Sequence, residues 1–312
     1  MAAAAKTYRL VTRSDFDGIA CAVLLRELDL IDEIAFVHPK DMQDGKIAVS
    51  DRDITANLPY VEGVHLAFDH HLSETLRLSD IRENHIIEAT APSAARVIYE
   101  YYGGALRFPR VSPDLMAAVD KSDAAQFTRE EVLNPQGWVL LSFLMDARTG
   151  LGRFREFRIS NYDLMMKLVD MCRDRPIAEI LTDPDVQERV ELYQEQALPF
   201  RDQLERCTED HGHFIVIDLR EEDPIYAGNR FLPYALFPQC RVSMHILRGK
   251  EGKNTVFAIG KSILDRSSAL DIGALCLRYG GGGHANAGTC QIPLTETETV
   301  RQELLDILQR QA

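Results

Sequence analysis

The sequence predicts an α/β protein: an N-terminal domain built on a parallel sheet and a smaller C-terminal α/β domain. Three observations carry this prediction. Short apolar runs alternate with helical patterns from residue 8 to about 180, as βαβ units require. Three of those runs end in aspartate. A polar helical stretch then precedes a second group of strand-like runs. The expected organisation is 1–185 for the first domain, 186–210 for a helical connector and 211–312 for the second domain.

The elements follow in order. Residues 9–12 form an apolar run that leads into Arg13-Ser14-Asp15-Phe16-Asp17-Gly18. Gly18 opens a helical pattern over 19–28 that is apolar nearly all round, which predicts burial against the sheet. The run at 46–50 leads into Asp51, and the run at 64–68 leads into Asp69-His70-His71. Pro92 opens a helix over 93–102 that Gly103-Gly104 stops. Asp183-Pro184 reads as an N-cap followed by proline in the first turn, and Pro199 should kink or break the connector helix. Beyond it, strands are expected at 213–219, 241–247, 255–260 and 288–293, with helices at 267–279 and 295–309.

Composition sets the background. The chain has 312 residues, 46% of them hydrophobic and 27% charged, which suits a soluble protein with a full core. No apolar run approaches the roughly 18 residues of a membrane span. The start lacks the basic leader and apolar stretch of a signal peptide, so a cytoplasmic location is expected. The six cysteines are scattered without a CxxC, as for reduced thiols. A net charge of −13 argues against capture of duplex nucleic acid but not against a small anionic ligand.

In an open parallel sheet the site lies beyond the carboxyl ends of the strands. That edge would receive Asp15, Asp17, Asp51, Asp69, His70 and His71. So many carboxylates share a pocket only around a cation. Carboxylate and imidazole together suit Mn²⁺, or Mg²⁺ with more water, and two ions are expected. Two ions about 4 Å apart can clamp a bridging hydroxide and the leaving oxygen of a phosphoryl displacement.

These residues resemble the motifs of the DHH phosphoesterase superfamily, and the resemblance spans nearly the whole chain. Residues 13–18 sit at the first motif, His-x-Asp-x-Asp-Gly. Asp51 fits the second, Asp69-His70-His71 the third and Asp120 the fourth, with Asp53 and Asp123 as competitors for the second and fourth. Gly280 to Gly288 resembles the glycine-rich signature of the DHH-associated C-terminal domain. The superfamily includes oligoribonucleases, single-strand exonucleases, cyclic-dinucleotide phosphodiesterases, exopolyphosphatases and family II pyrophosphatases. The resemblance implies an active site in the cleft between the two domains, with Asp15, Asp17, Asp51, His70 and Asp120 as metal ligands. It implies that Asp69 orients the histidines and that His71 contacts phosphate or protonates the leaving group. Arg13 stands where the family has a metal-binding histidine, and a guanidinium has no lone pair to give a metal. It either removes a ligand or binds substrate phosphate.

The run Gly280–Gly283 reads as an anion-binding nest with His284 as an added donor, or as a helix C-cap. Gly281, Gly282, Gly283, His284, Arg266 and Ser262 are the candidate substrate contacts, with Lys261, Asp265 and Arg230 nearby candidates. The stretch 146–158 interleaves four arginines with two phenylalanines. It reads as a solvated loop with packed phenylalanines or, less favoured, as a holder of a short single strand. The expected function is a metal-dependent phosphohydrolase acting on short oligoribonucleotides or dinucleotides, with activity falling as oligonucleotide length grows. Exopolyphosphatase is the enzymatic alternative, and a non-hydrolytic nucleotide sensor the alternative of another class. The expected partner is a small anionic nucleotide or phosphate, short single-stranded RNA included. Neither duplex nucleic acid nor a membrane is expected, and a homodimer is compatible with the sequence.

Overall fold

The computed structural model describes residues 7–77, 80 and 82–312. The chain folds into two compact units: residues up to Gln126 with Pro135–Leu192, and Phe127–Asn134 with Tyr193–Ala312.

The first unit is built on five strands: β1 (Tyr8–Arg13), β2 (Ile31–Val37), β3 (Asp53–Ala56), β4 (Leu66–Asp69) and β5 (His85–Ile87). They pair in the order β2-β1-β3-β4-β5, and every pairing is parallel. The chain moves outward from β1 to β2, then restarts on the other side with β3. The β1/β3 boundary is therefore a topological switch point, where open α/β sheets place their ligands. Around the sheet run α1 (Phe16–Glu27), α2 (Pro39–Gln43), α3 (Leu72–Arg77), α4 (Ala94–Tyr101) and α5 (Pro113–Asp123). They are followed by α6 (Arg129–Leu133), α7 (Gly137–Met145), α8 (Asn161–Asp174), α9 (Ile177–Leu181) and α10 (Pro184–Arg206). Helix α6 belongs to the second unit, and α10 runs from one unit into the other.

Helix α1 explains why the edge of β1 is rigid. It is buried from Phe16 to Leu25, as its all-round apolar pattern requires, and it packs against α4, α5 and α8. Ile19, Val23, Leu24 and Leu25 are fully buried, each contributing about 1.5–3 kcal/mol. Gly18 lets this helix begin directly after the strand. A Cβ there would lie 2.0 Å from the Arg13 carbonyl oxygen.

The second unit holds β6 (Thr208–Asp210), β7 (Phe214–Asp218), β8 (Val242–Arg248), β9 (Asn254–Lys261), β10 (Gly282–His284) and β11 (Ala287–Pro293). The order is β10-β11-β9-β8-β7-β6, antiparallel except for β7 with β8. Helices α11 (Leu232–Leu236), α12 (Ile272–Leu277) and α13 (Thr297–Gln311) complete it. One face of the sheet, with Val216, Met244 and Phe257, shares a core with Cys276, Leu304 and Leu308.

Several expectations are corrected. Residues 46–50 form no strand; the strand is β3, beginning at Asp53. Pro199 lies inside α10 without ending it. The helix expected at 267–279 is confined to Ile272–Leu277, because Asp271 caps it by accepting from the Ala274 N–H at 2.8 Å. All six cysteines are free thiols. Among the described residues, no helix is long and apolar enough to cross a membrane.

Candidate metal centre

The carboxyl edge of the first sheet collects the ionisable groups. Asp15 caps α1, its Oδ1 accepting from the Gly18 N–H at 2.9 Å. Its Oδ2 lies 2.9 Å from Arg13 Nε. Asn57, the first residue after β3, donates from Nδ2 to both Asp15 oxygens at 3.2 and 3.4 Å. Burial and the charge of Asp123 raise the Asp15 pKa, while Arg13 opposes the shift.

Two residues along, Asp17 is buried and accepts from the Ala95 N–H at 2.8 Å and the Ala94 N–H at 3.0 Å. Those groups open α4, so a helix N-terminus steadies the carboxylate. Burial and the nearby Asp123 nonetheless push its pKa up to about 7.

Strand β4 delivers the histidines. Asp69 is fully buried at its end. Its Oδ1 accepts from the His70 N–H at 2.8 Å and from His71 Nδ1 at 2.6 Å. His70 Nδ1 donates to the Ala91 carbonyl at 3.1 Å, which turns Nε2 inward to within 2.9 Å of Asp123 Oδ2. That close pair lacks hydrogen-bond alignment, and Nε2 is buried without a hydrogen-bond partner. Burial lowers the His70 pKa, but Asp123 outweighs it and raises the group to about 9.

Asp17, His70 and Asp123 each place one donor atom within 4.8 Å of the others. Two carboxylates and an imidazole with an unsatisfied nitrogen form a donor set that fits a divalent cation such as Mn²⁺. A cavity of about 140 Å³ opens beside Ser14, walled by Leu144, Leu164 and Met165 and floored by the buried Arg189. Arg189 stacks on Phe157 at 3.8 Å, so one phenylalanine of the 146–158 stretch is packed against a buried side chain.

Two sequence-derived positions fall elsewhere. Asp51 is exposed in the turn before β3, at the amino edge of the sheet and away from Asp15. Its competitor Asp53 is there too, pinned to Arg9 Nε at 2.6 Å and the Ser50 N–H at 2.5 Å. The residue that β3 presents at the carboxyl edge is Asn57. Asp120 is committed to α4: it accepts from Ser93 Oγ at 2.7 Å and from Arg96 at 2.5 and 3.0 Å. Asp123, one turn later on α5, joins the cluster instead. Asn57 could have been found by reading 54–58 as the strand and its end.

In the second unit the glycines have packing and capping contacts. The Gly280 and Gly281 N–H groups cap α12 on the Leu277 and Cys276 carbonyls, at 3.1 and 3.0 Å. Gly281 and Gly283 approach the β11 backbone so closely that a Cβ would lie 2.0 Å from Thr289 O and 2.2 Å from Ala287 O. β10 is an edge strand of its sheet. Ser262 is buried, its Oγ accepting from the Leu264 and Asp265 N–H groups, so it closes a turn. Arg266 Nε donates to the Ile263 carbonyl at 3.2 Å. His284 is exposed and pairs in register with Ala287, which pairs with Gly260. His284 and Lys261 thus share one end of that sheet.

No protein-family model matches the chain, and no curated protein does. Among solved structures, it is 56% identical to the pGpG-specific phosphodiesterase PggH of Vibrio cholerae, with a TM-score of 0.87 over 98% of this chain and 100% of that one. Exonuclease RecJ bound to manganese shares the fold at 14% identity, TM-score 0.53, over 97% of this chain and 91% of its own. RecJ of Thermus thermophilus in complex with Mn²⁺ does so at 11% identity and TM-score 0.53, over 97% of this chain and 52% of its own. A parallel sheet whose switch point gathers carboxylates and imidazoles, carried on this fold, defines a phosphoesterase. The chain belongs to the DHH phosphoesterase superfamily and is a hydrolase of phosphate esters.

Proposed function

We propose that this chain hydrolyses the phosphodiester bond of a linear dinucleotide, pGpG first among them, with a divalent cation held by Asp17, His70 and Asp123. One observation carries the reading: 56% identity along 98% of the chain to a phosphodiesterase specific for pGpG. The donor set supports it, since a divalent cation balances the paired carboxylates of that cluster. A bound Mn²⁺ or Mg²⁺ would polarise a phosphoryl oxygen and acidify a water.

The chain's own residues do the rest. Asp69 fixes His71 through Nδ1; burial lowers the His71 pKa, but the Asp69 carboxylate outweighs burial and raises it. His71 then donates a proton to the leaving ribose oxygen. The water oxygen bonds to phosphorus, the phosphorus–ribose oxygen bond breaks, and the water's proton leaves to solvent. Arg13 binds a phosphate oxygen. The cavity beside Ser14 is on the scale of one nucleobase and favours a short substrate. In the second unit, Lys261, Arg266 and His284 are the proposed anion contacts, whereas Ser262 is spent on its own turn.

The test is a hydrolysis panel with Mn²⁺: pGpG, pApA, a cyclic dinucleotide, RNAs of graded length, 3′-phosphoadenosine 5′-phosphate and polyphosphate. Fastest cleavage of pGpG to GMP is expected, with rates falling along the RNA series. Preference for polyphosphate, or rising rates with RNA length, would contradict the reading.

A further inference from the structure

We propose that this chain works with a single divalent ion and that the Arg13 guanidinium occupies the role of a second. The proposal rests on the reading of Asp17, His70 and Asp123 as the metal site. It departs from the pair of ions expected from the sequence.

A second ion beside Asp15 would draw its remaining donors from the two strands that flank the switch point. Those strand ends carry Arg13 and Asn57. Arg13 offers only N–H donors and a fixed positive charge. It lies against Asp15 Oδ2 at 2.9 Å, so cationic charge already stands where an ion would sit. Asn57 turns its donor nitrogen toward Asp15, at 3.2 and 3.4 Å. The reverse orientation would set an oxygen against a carboxylate, so the chemistry fixes the amide. Gly18 N–H holds Asp15 Oδ1 at 2.9 Å. Both oxygens of Asp15 are therefore engaged by donors.

The neighbouring cluster is the reverse case. His70 Nε2 faces Asp123 at 2.9 Å without a hydrogen bond and is buried without a partner. Once its proton is displaced, that nitrogen offers an ion at the cluster a lone pair that no protein donor engages. Charge divides in the same way. Asp17 and Asp123 balance one divalent ion, and Arg13 balances Asp15. A guanidinium can hold phosphate oxygens bidentately, which is the clamping that a second ion supplies.

Metal counting tests this on the full chain. Protein stripped with chelator is loaded with Mn²⁺, passed through a desalting column and assayed for manganese and by electron paramagnetic resonance. One ion per chain with a mononuclear spectrum is expected. The double variant Arg13→His/Asn57→Asp should hold two ions and show a spin-coupled spectrum. Arg13→Ala should keep one ion and raise KM for pGpG about 10- to 100-fold, the loss of one charged hydrogen-bonding contact. Two ions with a coupled spectrum in the unmodified chain would overturn the inference and leave the proposed function standing. A double variant with native circular dichroism and still one ion would overturn the assignment to these two positions. No bound ion at all would overturn the metal reading and this inference together.

Discussion

His70 Nε2 stands 2.9 Å from Asp123 Oδ2, close enough to bond but not aligned to do so. Both residues place a donor atom within 4.8 Å of a carboxylate oxygen of Asp17, a spacing that a shared cation could bridge. Asp120, one turn back on α5, instead braces Ser93 and Arg96 at the start of α4. Replacing the two aspartates should therefore give different losses. Asp123→Ala should lose bound Mn²⁺ and nearly all turnover while the protein stays folded. Asp120→Asn should keep the ion but lower stability by roughly 1–3 kcal/mol, because it breaks charged hydrogen bonds in a partly buried site. Metal analysis and thermal melts of the two variants separate the roles.

Gly18 is the hinge on which Asp15 and Asp17 turn. A methyl group there would meet the Arg13 carbonyl at 2.0 Å and push α1 away from β1. A displacement of about 1 Å at a catalytic site can cost about a hundredfold in rate. Gly18→Ala should show a loss of that size in kcat/KM, with weaker Mn²⁺ binding. Unchanged kinetics would show that the turn relaxes without moving Asp17.

How much of this was legible follows from particular residues. β1 and its Asp15-x-Asp17-Gly18 turn were readable, because an apolar run, two acids and a glycine each need the turn for a different reason. So was Asp69-His70-His71 after β4. Asn57 was not: β3 is only Asp53–Ala56, and the apolar run at 46–50 imitates a strand while its backbone is irregular. Asp120 and Asp123 lie one helical turn apart on the same face, so spacing cannot choose between them. Packing of α4 chooses. In the second unit the glycines at 280–283 were visible, but their use was set by the β11 backbone that follows them.

The glycines there give a clean contrast. Gly281→Ala places a Cβ 2.0 Å from Thr289 O, whereas Gly282→Ala meets nothing within 4 Å. Gly281→Ala should lower the melting temperature clearly, and Gly282→Ala should leave it within about a degree or two, as for an unconstrained surface change. Equal effects would contradict the packing role.

Acid should weaken the second unit through His245. It sits on β8 between Ile217 and Ala258 in register, and burial holds its pKa down to about 4 from the ordinary 6.5. The unfolded chain binds the proton more readily between those values, so the neutral ring's contribution is present above 6.5 and lost as pH falls toward 4. Melts taken from about pH 7 down to about pH 5 should show falling stability, and His245→Gln should flatten that fall. A variant with the parent's pH slope would remove His245 from the account.

The central claim is that a cation at Asp17, His70 and Asp123 drives cleavage of a linear dinucleotide. The most direct measurement is the time course of pGpG conversion to GMP by the full chain, chelated and then resupplied with Mn²⁺, for the parent and for His70→Ala. The chelated protein should be inert, the parent should recover fully with Mn²⁺, and the variant should not recover. Cleavage that survives chelation, or a His70→Ala protein that recovers the parent's rate, would contradict it.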